Sequence, residues 1–335
     1  MVKVRWGVLG TARIATAKVI PAMQRGEWSA VTAIASRDGE RAERASIELG
    51  IPTVYGSYEA LLADRSVEAV YIPLPNHLHV PWSIRAAEAG KHVLCEKPLG
   101  LGEDDVRELI AARDRTGVKL QEAFMVRTHP QWVAARDLVR AGRLGELRGM
   151  VGTFSYVNRD PANIRNVADF GGGALFDIGC YFVMTSRFIF GEKPRRVVAS
   201  IDRDPAFHVD RRTSMLLEYS SGTFVGTCGT QMAPQQRIEI LGSRARLEIE
   251  IPFNAPPDRP CRLFVDEHGP VGGGAVETIE IATCDQYTIQ GDRFSQAIRE
   301  RTPVVYPLEE SLGNMRVIDA LFRSAARGEW VTVAE

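Results

Sequence analysis

The sequence lacks the patterns that mark disulfide-rich and metal-binding proteins. Its five cysteines are widely scattered and odd in number, and no two of them form a CxxC pair. A disulfide framework or a zinc site is therefore not indicated. The six histidines include no HExxH pattern, and we predict no bound metal.

Neither an excess of one charge nor a long apolar run is present. Lysine and arginine number 41 and aspartate and glutamate 42, so no basic surplus points to nucleic acid. No segment approaches the roughly 20 apolar residues of a membrane span, and the opening MVKVRWGVLG enters a strand pattern without an apolar leader. We expect a cytoplasmic protein that has neither a nucleic-acid nor a membrane partner.

The pattern of strands and helices changes partway along the 335 residues, which are many for a single core. The first part alternates short apolar strands with helices, which indicates a parallel sheet covered on both faces. Later, from about Arg195 to Ile281, strands follow one another directly, which indicates an antiparallel sheet. We predict an α/β protein with a dinucleotide-binding domain over residues 1–124. An α+β domain over residues 125–335 follows, and its last helix can pack back on the first domain.

A turn of small residues follows the first strand. On a GxGxxG template, Gly10 is the first glycine, while Ala12 and Ala15 occupy the second and third positions. The first glycine permits the tight turn, and a small third residue lets the helix approach the strand. Alanine at the second position crowds the pyrophosphate, so a plain turn of an α/β core fits as well. The predicted cofactor contacts in this turn are Gly10, Thr11, Ala12, Arg13 and Ile14.

The end of the second strand bears on the choice of cofactor. Many NAD-binding folds carry an acid here for the ribose 2′-hydroxyl, whereas this sequence reads Ser36-Arg37-Asp38. A hydroxyl and a guanidinium suit a 2′-phosphate, with Arg41 as a further cation. Asp38 stands one or two positions late for the ribose and remains an alternative. We predict NADP in preference to NAD.

Residues 176–181, FDIGCY, place an aspartate and a tyrosine four apart in an otherwise apolar segment. On a helix, Asp177 and Tyr181 share one face. Such a pair suits proton transfer, and it equally suits a structural hydrogen bond.

Three stretches together resemble one family of oxidoreductases. They are YIPLPNHLH (residues 71–79), GKHVLCEKP (90–98) and GGGALFDIGCY (171–181). The sequence is similar over its whole length to the glucose-fructose oxidoreductase and inositol dehydrogenase (Gfo/Idh/MocA) family. This resemblance implies an N-terminal Rossmann domain, followed by a C-terminal domain with a large, open, predominantly antiparallel sheet.

The resemblance also implies roles for individual residues. Lys97 is expected beside Glu96 beneath the nicotinamide, reaching the substrate hydroxyl, where a cation stabilises alkoxide character. Asp177 and Tyr181 are expected to close the active site, Tyr181 standing where many relatives carry histidine. Whether Lys97 or Tyr181 carries the proton is open. The residues expected to line the nicotinamide side are Pro73, Leu74, Asn76 and His79. Those expected to contact the substrate are Arg127, Arg165, Asn166, Asp177 and Tyr181.

The expected reaction is a hydride transfer between the nicotinamide and a carbon of a carbohydrate or cyclic polyol. A trans-dihydrodiol dehydrogenase acting on a non-sugar diol is an alternative. So is a catalytically silent dinucleotide sensor, although it would be expected to lose Lys97 or the Asp177 and Tyr181 pair. An open sheet leaves apolar surface exposed, so we expect a homodimer or a dimer of dimers formed through the C-terminal sheet.

Overall fold

The computed structural model describes residues 2–267 and 276–334. It separates into two compact units. The first unit combines Met1–Met125 with Asp285–Leu312, and the second combines Val126–Cys284 with Gly313–Glu335.

The first unit contains a parallel sheet of six strands in the order β3-β2-β1-β4-β5-β6. Its strands are β1 (Val4–Leu9), β2 (Ser29–Ala35), β3 (Thr53–Tyr55), β4 (Ala69–Ile72), β5 (His92–Cys95) and β6 (Leu120–Glu122). The helices between them are α1 (Ile20–Arg25), α2 (Gly39–Leu49), α3 (Tyr58–Ala63), α4 (His79–Glu88) and α5 (Glu103–Thr116). The strand order reverses between β1 and β4, the point where ligands bind in doubly wound sheets.

The second unit contains a sheet of nine strands in the order β14-β13-β12-β11-β7-β10-β9-β8-β15. Among the described strands of this sheet, β7 and β10 pair in parallel, and the other neighbouring strands pair antiparallel. Its strands are β7 (Leu147–Val157), β8 (Arg196–Arg203), β9 (Asp210–Glu218), β10 (Thr223–Gly229), β11 (Gln231–Gly242), β12 (Ala245–Ile249), β13 (Cys261–Glu267), β14 (Val276–Ile281) and β15 (Val331–Thr332). Four further α-helices occur in the described residues: α6 (Pro130–Arg140), α7 (Cys180–Phe190), α8 (Gln286–Glu300) and α9 (Leu308–Arg327).

Residues 285–312 join the first unit, whereas the sequence analysis assigned them to the C-terminal domain. Their helix α8 has the predicted bounds, but it carries Phe294 into the core beside Trp6, with ring centroids 5.6 Å apart. The Trp6 indole N–H donates to Ser295 Oγ at 3.0 Å. The buried aromatic pair and this hydrogen bond hold α8 against the first sheet.

One described helical stretch, residues 168–190, is long and apolar enough to cross a membrane by length and composition. No such segment was expected from the sequence. Its most apolar window is 83% buried in the fold, and Phe182 and Val183 are fully buried. Packing as a core helix therefore accounts for the apolar character of this stretch.

Candidate active site

The turn after β1 requires glycine at its first position. Gly10 has a φ of +108°, a region that side chains rarely adopt. A Cβ on Gly10 would lie 3.0 Å from Leu74 Cδ2, so the turn approaches the loop after β4 closely. Thr11 and Ala12 follow as a partly exposed loop, and Arg13 and Ile14 begin the helical turn. These four residues lie at the carboxyl end of β1, where a dinucleotide contact is predicted.

At the end of β2, Asp38 caps the helix that follows, α2. Its Oδ1 accepts the Arg41 backbone N–H at 3.1 Å, and its Oδ2 lies 3.2 Å from Arg41 Nε. Buried Ser36 accepts the Asp38 backbone N–H at 3.1 Å. Arg37 is exposed and shares a hydrogen bond with Tyr58, although burial still raises the pKa of that phenol. Asp38 therefore caps α2, while the exposed Arg37 lies at the carboxyl end of β2.

His79, predicted to line the nicotinamide side, contacts two loops of the first unit. Its side chain is fully buried, and its ring nitrogens each lie 2.7 Å from a carbonyl oxygen, one of Leu74 and one of Pro98. Burial lowers the pKa of His79 to about 4, although both carbonyl contacts act in the opposite direction. His79 therefore ties the loop after β4 to the loop after β5. In the first of these loops Pro73 and Leu74 are buried, while Asn76 is partly exposed.

The loop after β5 carries Glu96 and Lys97 among buried polar groups. The Tyr71 hydroxyl donates to Glu96 Oε1 at 2.6 Å, and the Lys97 backbone N–H donates to Glu96 Oε2 at 3.3 Å. Buried Glu122, at the end of β6, accepts the Leu99 N–H at 2.9 Å. Burial raises the pKa of Glu122 to about 7, while the charge of Lys97 lowers it in part. Lys97 is thus placed at a strand end with its charge close to a buried acid.

In the second unit, Asp177 is held by two partners. The Tyr156 hydroxyl donates to its Oδ2 at 2.5 Å, and Arg165 Nε lies 2.9 Å from its Oδ1. Burial, and then the charge of Asp177, raise the pKa of Tyr156, so this phenol stays a donor. These two contacts fix the orientation of the Asp177 carboxylate. Sequence reasoning missed Tyr156; its only signal was its place at the end of a strand, directly before the polar loop.

Tyr181 lies in the first turn of α7 and is only 5% exposed. Its ring centroid is 5.3 Å from that of Phe253 and 6.0 Å from that of Phe154. Asp177 precedes it on a π-helical segment, Leu175–Gly179. The dinucleotide turn in the first unit also leads into a π-helical segment, Ala15–Val19. Such segments occur frequently at functional sites.

The remaining predicted substrate residues differ in their contacts. Arg165 joins Asp177, as described above. The Arg127 guanidinium lies 4.0 Å over the ring of Phe188. Asn166 is 4% exposed and donates to the Asp160 carbonyl at 2.8 Å. Arg127 therefore packs on α7, Asn166 stabilises its own loop, and Arg165 adjoins the Asp177 carboxylate.

No group of three or more histidine, cysteine, aspartate or glutamate side chains in the described part of the chain is arranged to hold a metal ion. His268, one of the six histidines considered above, lies outside the described residues.

A parallel sheet with a glycine turn after β1, and a lysine at the end of β5, define the class of dinucleotide-binding oxidoreductases. Residues 4–124 match the model of the oxidoreductase family with an NAD-binding Rossmann fold. Residues 132–248 match the GFO/IDH/MocA C-terminal domain. The chain belongs to the Gfo/Idh/MocA oxidoreductase family, which confirms the predicted family, fold class and reaction class.

Relatives resemble the chain over nearly its full length. An uncharacterized oxidoreductase of Rhizobium meliloti is 50% identical, covering 98% of this chain and 99% of its own. A D-xylose 1-dehydrogenase (NADP+) of Haloferax volcanii is 41% identical, with coverages of 96% and 98%. The crystal structure of a 3-ketoreductase from Actinomadura kijaniata, in complex with NADP and TDP-benzene, superimposes with a TM-score of 0.90. That protein is 32% identical, and the match covers 96% of this chain and 98% of the other.

Proposed function

We propose that the protein is an NADP-dependent oxidoreductase that moves a hydride between the nicotinamide and a carbon of a carbohydrate or cyclic polyol. The observation that carries this proposal is the Asp177 carboxylate, oriented by Tyr156 and Arg165 one turn before Tyr181. A fixed anionic acceptor suits a substrate rich in hydroxyl groups. The similarity to a D-xylose dehydrogenase and to a sugar ketoreductase supports the same substrate class.

The proposed cofactor is NADP, which accepts or supplies the hydride when bound. Arg37 is exposed at the end of β2, and Asp38 caps α2. A guanidinium there suits the 2′-phosphate that distinguishes NADP from NAD. The related D-xylose 1-dehydrogenase is an NADP+ enzyme, and the related 3-ketoreductase forms a complex with NADP, which supports this choice.

Proton transfer to or from the substrate hydroxyl is proposed for Lys97 or for Tyr181. Asp177 is proposed to accept a hydrogen bond from a substrate hydroxyl and Arg165 to keep the carboxylate in place. A tyrosine has an unperturbed pKa of about 10, so it acts as a base at neutral pH only where its pKa is lowered.

The test is steady-state reduction of NADP+ with paired panels of aldoses, cyclic polyols and trans-dihydrodiols. We expect turnover with members of the first two groups and tighter binding of NADP+ than of NAD+. Turnover of the dihydrodiols alone would favour the diol dehydrogenase. Dinucleotide binding with no turnover of any substrate would favour the silent sensor.

We further propose that the protein assembles through the second sheet as a homodimer or a dimer of dimers. Val151 on β7 and Val225 on β10 are paired in register and are 41% and 44% exposed. Adjacent exposed valines in a sheet favour a partner that covers them. Light scattering at micromolar concentration tests this, and a mass equal to that of one 37.0 kDa chain would contradict it.

Residence in the cytoplasm is also proposed. The five cysteines, all within the described ranges, form no disulfide, and four of them are buried, which suits a reducing compartment. Cell fractionation followed by detection of the protein tests this directly, and recovery outside the cytoplasmic fraction would contradict it.

A further inference from the structure

A positively charged pocket lies within the second unit, separate from the residues discussed above. Its volume is about 210 Å³, and it is lined by Arg159, Asp202, Arg211, Arg212, Gln231 and Met232. Three guanidinium groups and one carboxylate thus line the same space. The pocket carries two more positive than negative charges.

The walls of the pocket are the ends of sheet strands. Arg211 and Arg212 begin β9, Asp202 lies near the end of β8, and Arg159 follows β7. Backbone hydrogen bonds fix these ends: the Thr230 N–H donates to the Arg211 carbonyl at 2.9 Å, and the Asn158 N–H donates to the Thr230 carbonyl at 2.7 Å. The arginines therefore project from a rigid frame.

The arginines of the pocket are not all paired with acids. Asp202 Oδ2 lies 3.1 Å from Arg211 Nε and 3.8 Å from Arg212. A second carboxylate, that of Asp204, accepts from the pocket residue Gln231 at 2.8 Å, and its charge acts on Arg211. Arg159 forms no ion pair with another residue of the described ranges. Arg159 therefore supplies the unpaired positive charge of the pocket.

Clustered guanidinium groups are suited to phosphate, whose oxygens accept paired N–H bonds from the planar fork. A neutral sugar gains little from such charge. The volume of about 210 Å³ is also below the roughly 300–1,000 Å³ of pockets that enclose a whole drug-sized ligand. The pocket therefore fits a charged group that belongs to a larger molecule, or a small free anion.

Two links connect the pocket to the proposed substrate site. Asp210, next to Arg211, accepts the Leu175 N–H at 2.7 Å, and Leu175 begins the segment that carries Asp177. Tyr156, which donates to Asp177, precedes Arg159 by three residues, a span of at most about 11 Å of extended chain. Both links lie at the same end of the sheet as the pocket.

We propose that this pocket binds a phosphate group. This assignment rests on the proposed function: the phosphate belongs to the substrate, and the reacting carbon of that substrate lies at Asp177 and Tyr181. The substrate class is then a phosphorylated sugar or polyol. A free phosphate acting as an effector shares this chemistry, and the two sources require separate measurements.

The first measurement compares turnover of an aldose, its terminal phosphate and its nucleoside diphosphate derivative at constant ionic strength. We expect a kcat/KM at least about tenfold higher for a phosphorylated member, the scale of one charge-assisted bond. Replacing both Arg159→Gln and Arg212→Gln is expected to remove most of that preference. Arg148→Gln is the matched control, because Arg148 is an exposed arginine at the other end of β7, paired with Glu146.

The second measurement is calorimetric binding of inorganic phosphate and pyrophosphate to the wild type and to the same variants. Circular dichroism checks that each variant folds, and Arg159→Lys, which keeps the charge but loses the fork, provides a milder change. Binding that is lost in the double variant, together with a substrate preference, supports the full proposal. Binding without any preference keeps the anion site and overturns the substrate assignment in favour of a free anion.

Two outcomes would overturn the pocket itself. One is the absence of both binding and preference; the other is an equal loss in Arg148→Gln, which would indicate a non-specific charge effect. If phosphate binds but no sugar, polyol or diol is turned over, the proposed function fails while the anion site stands.

Discussion

The two sheets bury their residues differently, and the difference decides where each unit carries its candidate functional groups. Every residue of β4 in the first sheet is buried, because helices cover a parallel sheet on both faces. In β9 of the second sheet, buried positions mostly alternate with partly exposed ones. A sheet covered on both faces leaves only the strand ends for chemistry, as with Lys97. A sheet with one open face also has a helix packed on the other, and Asp177 and Tyr181 lie on that helix.

Glu122 in the first unit and Asp177 in the second have different surroundings. Glu122 accepts the Leu99 N–H and lies near Lys97, yet burial raises its pKa to about 7. Asp177 contacts a phenol and a guanidinium. A guanidinium in direct contact favours the ionised form of an acid, whereas burial favours the protonated form. The predictions below test this contrast, beginning with the largest expected effect.

Replacing Lys97→Ala tests the strand-end group of the first unit. We expect turnover to fall by roughly 10² or more, because an acid/base group typically contributes that much. Dinucleotide binding, followed by the fluorescence of NADPH, should survive. A loss of less than tenfold in kcat would remove Lys97 from the proton transfer.

Replacing Tyr181→Phe tests the helix-borne group of the second unit. The change removes only the hydroxyl, and a loss of about 10² in kcat is expected if that hydroxyl carries the proton. Tyr156→Phe should cost less, since it frees one oxygen of Asp177 while Arg165 remains. Tyr219→Phe is the matched control, because Tyr219 is a buried tyrosine whose hydroxyl lies 2.7 Å from Ser186 Oγ. Equal losses in all three variants would show a packing effect only.

Replacing Glu122→Gln tests the buried acid. The pKa of about 7 in the folded state lies above the ordinary glutamate pKa of 4.5, so the folded state binds more protons than the unfolded state between these pH values. Stability should therefore fall as pH rises from 4.5 to 7, by about 3 kcal/mol at most. The glutamine variant should lose much of this slope and be the more stable protein at pH values above 7. Denaturant unfolding at several pH values measures it, and an unchanged slope would contradict the assignment.

The pH dependence of stability also separates the contributions of the two units. Burial also raises the pKa of Asp210 in the second unit, to about 6, so part of the slope at lower pH belongs to that unit. The slope that survives in Glu122→Gln should therefore end near pH 6.

Replacing Arg37→Ala tests the dinucleotide end and has the smallest expected effect. We expect the preference for NADP over NAD to fall about tenfold, the scale of one exposed charge-assisted bond. Arg44→Ala is the control, because Arg44 is an exposed arginine of α2 that pairs with Glu40. Competition binding with the two dinucleotides measures the ratio. An equal effect in both variants would assign the preference to net charge.

Much of the local structure followed from spacing and residue type. For example, α6 begins at Pro130, a residue favoured at the first position of a helix, and His129 caps it. The short β3 and α3 were missed, since three strand residues and six helical ones carry too little periodicity to recognise. The glycine at position 10 was correctly identified as a required turn residue, because its backbone conformation is a local property.

The sequence by itself determined the elements, their order and the class of chemistry, because hydrophobic period and turn residues act over a few positions. Only the tertiary structure decided which groups meet. Tyr156, Arg165 and Asp177 come from a strand, a loop and a helix, and no spacing rule joins them. His79 and α8 show the same limit: the motif and the bounds were visible, but burial against Leu74, Pro98 and Trp6 depends on distant segments. Local patterns encode propensity, whereas contacts between distant segments form only when the whole core packs.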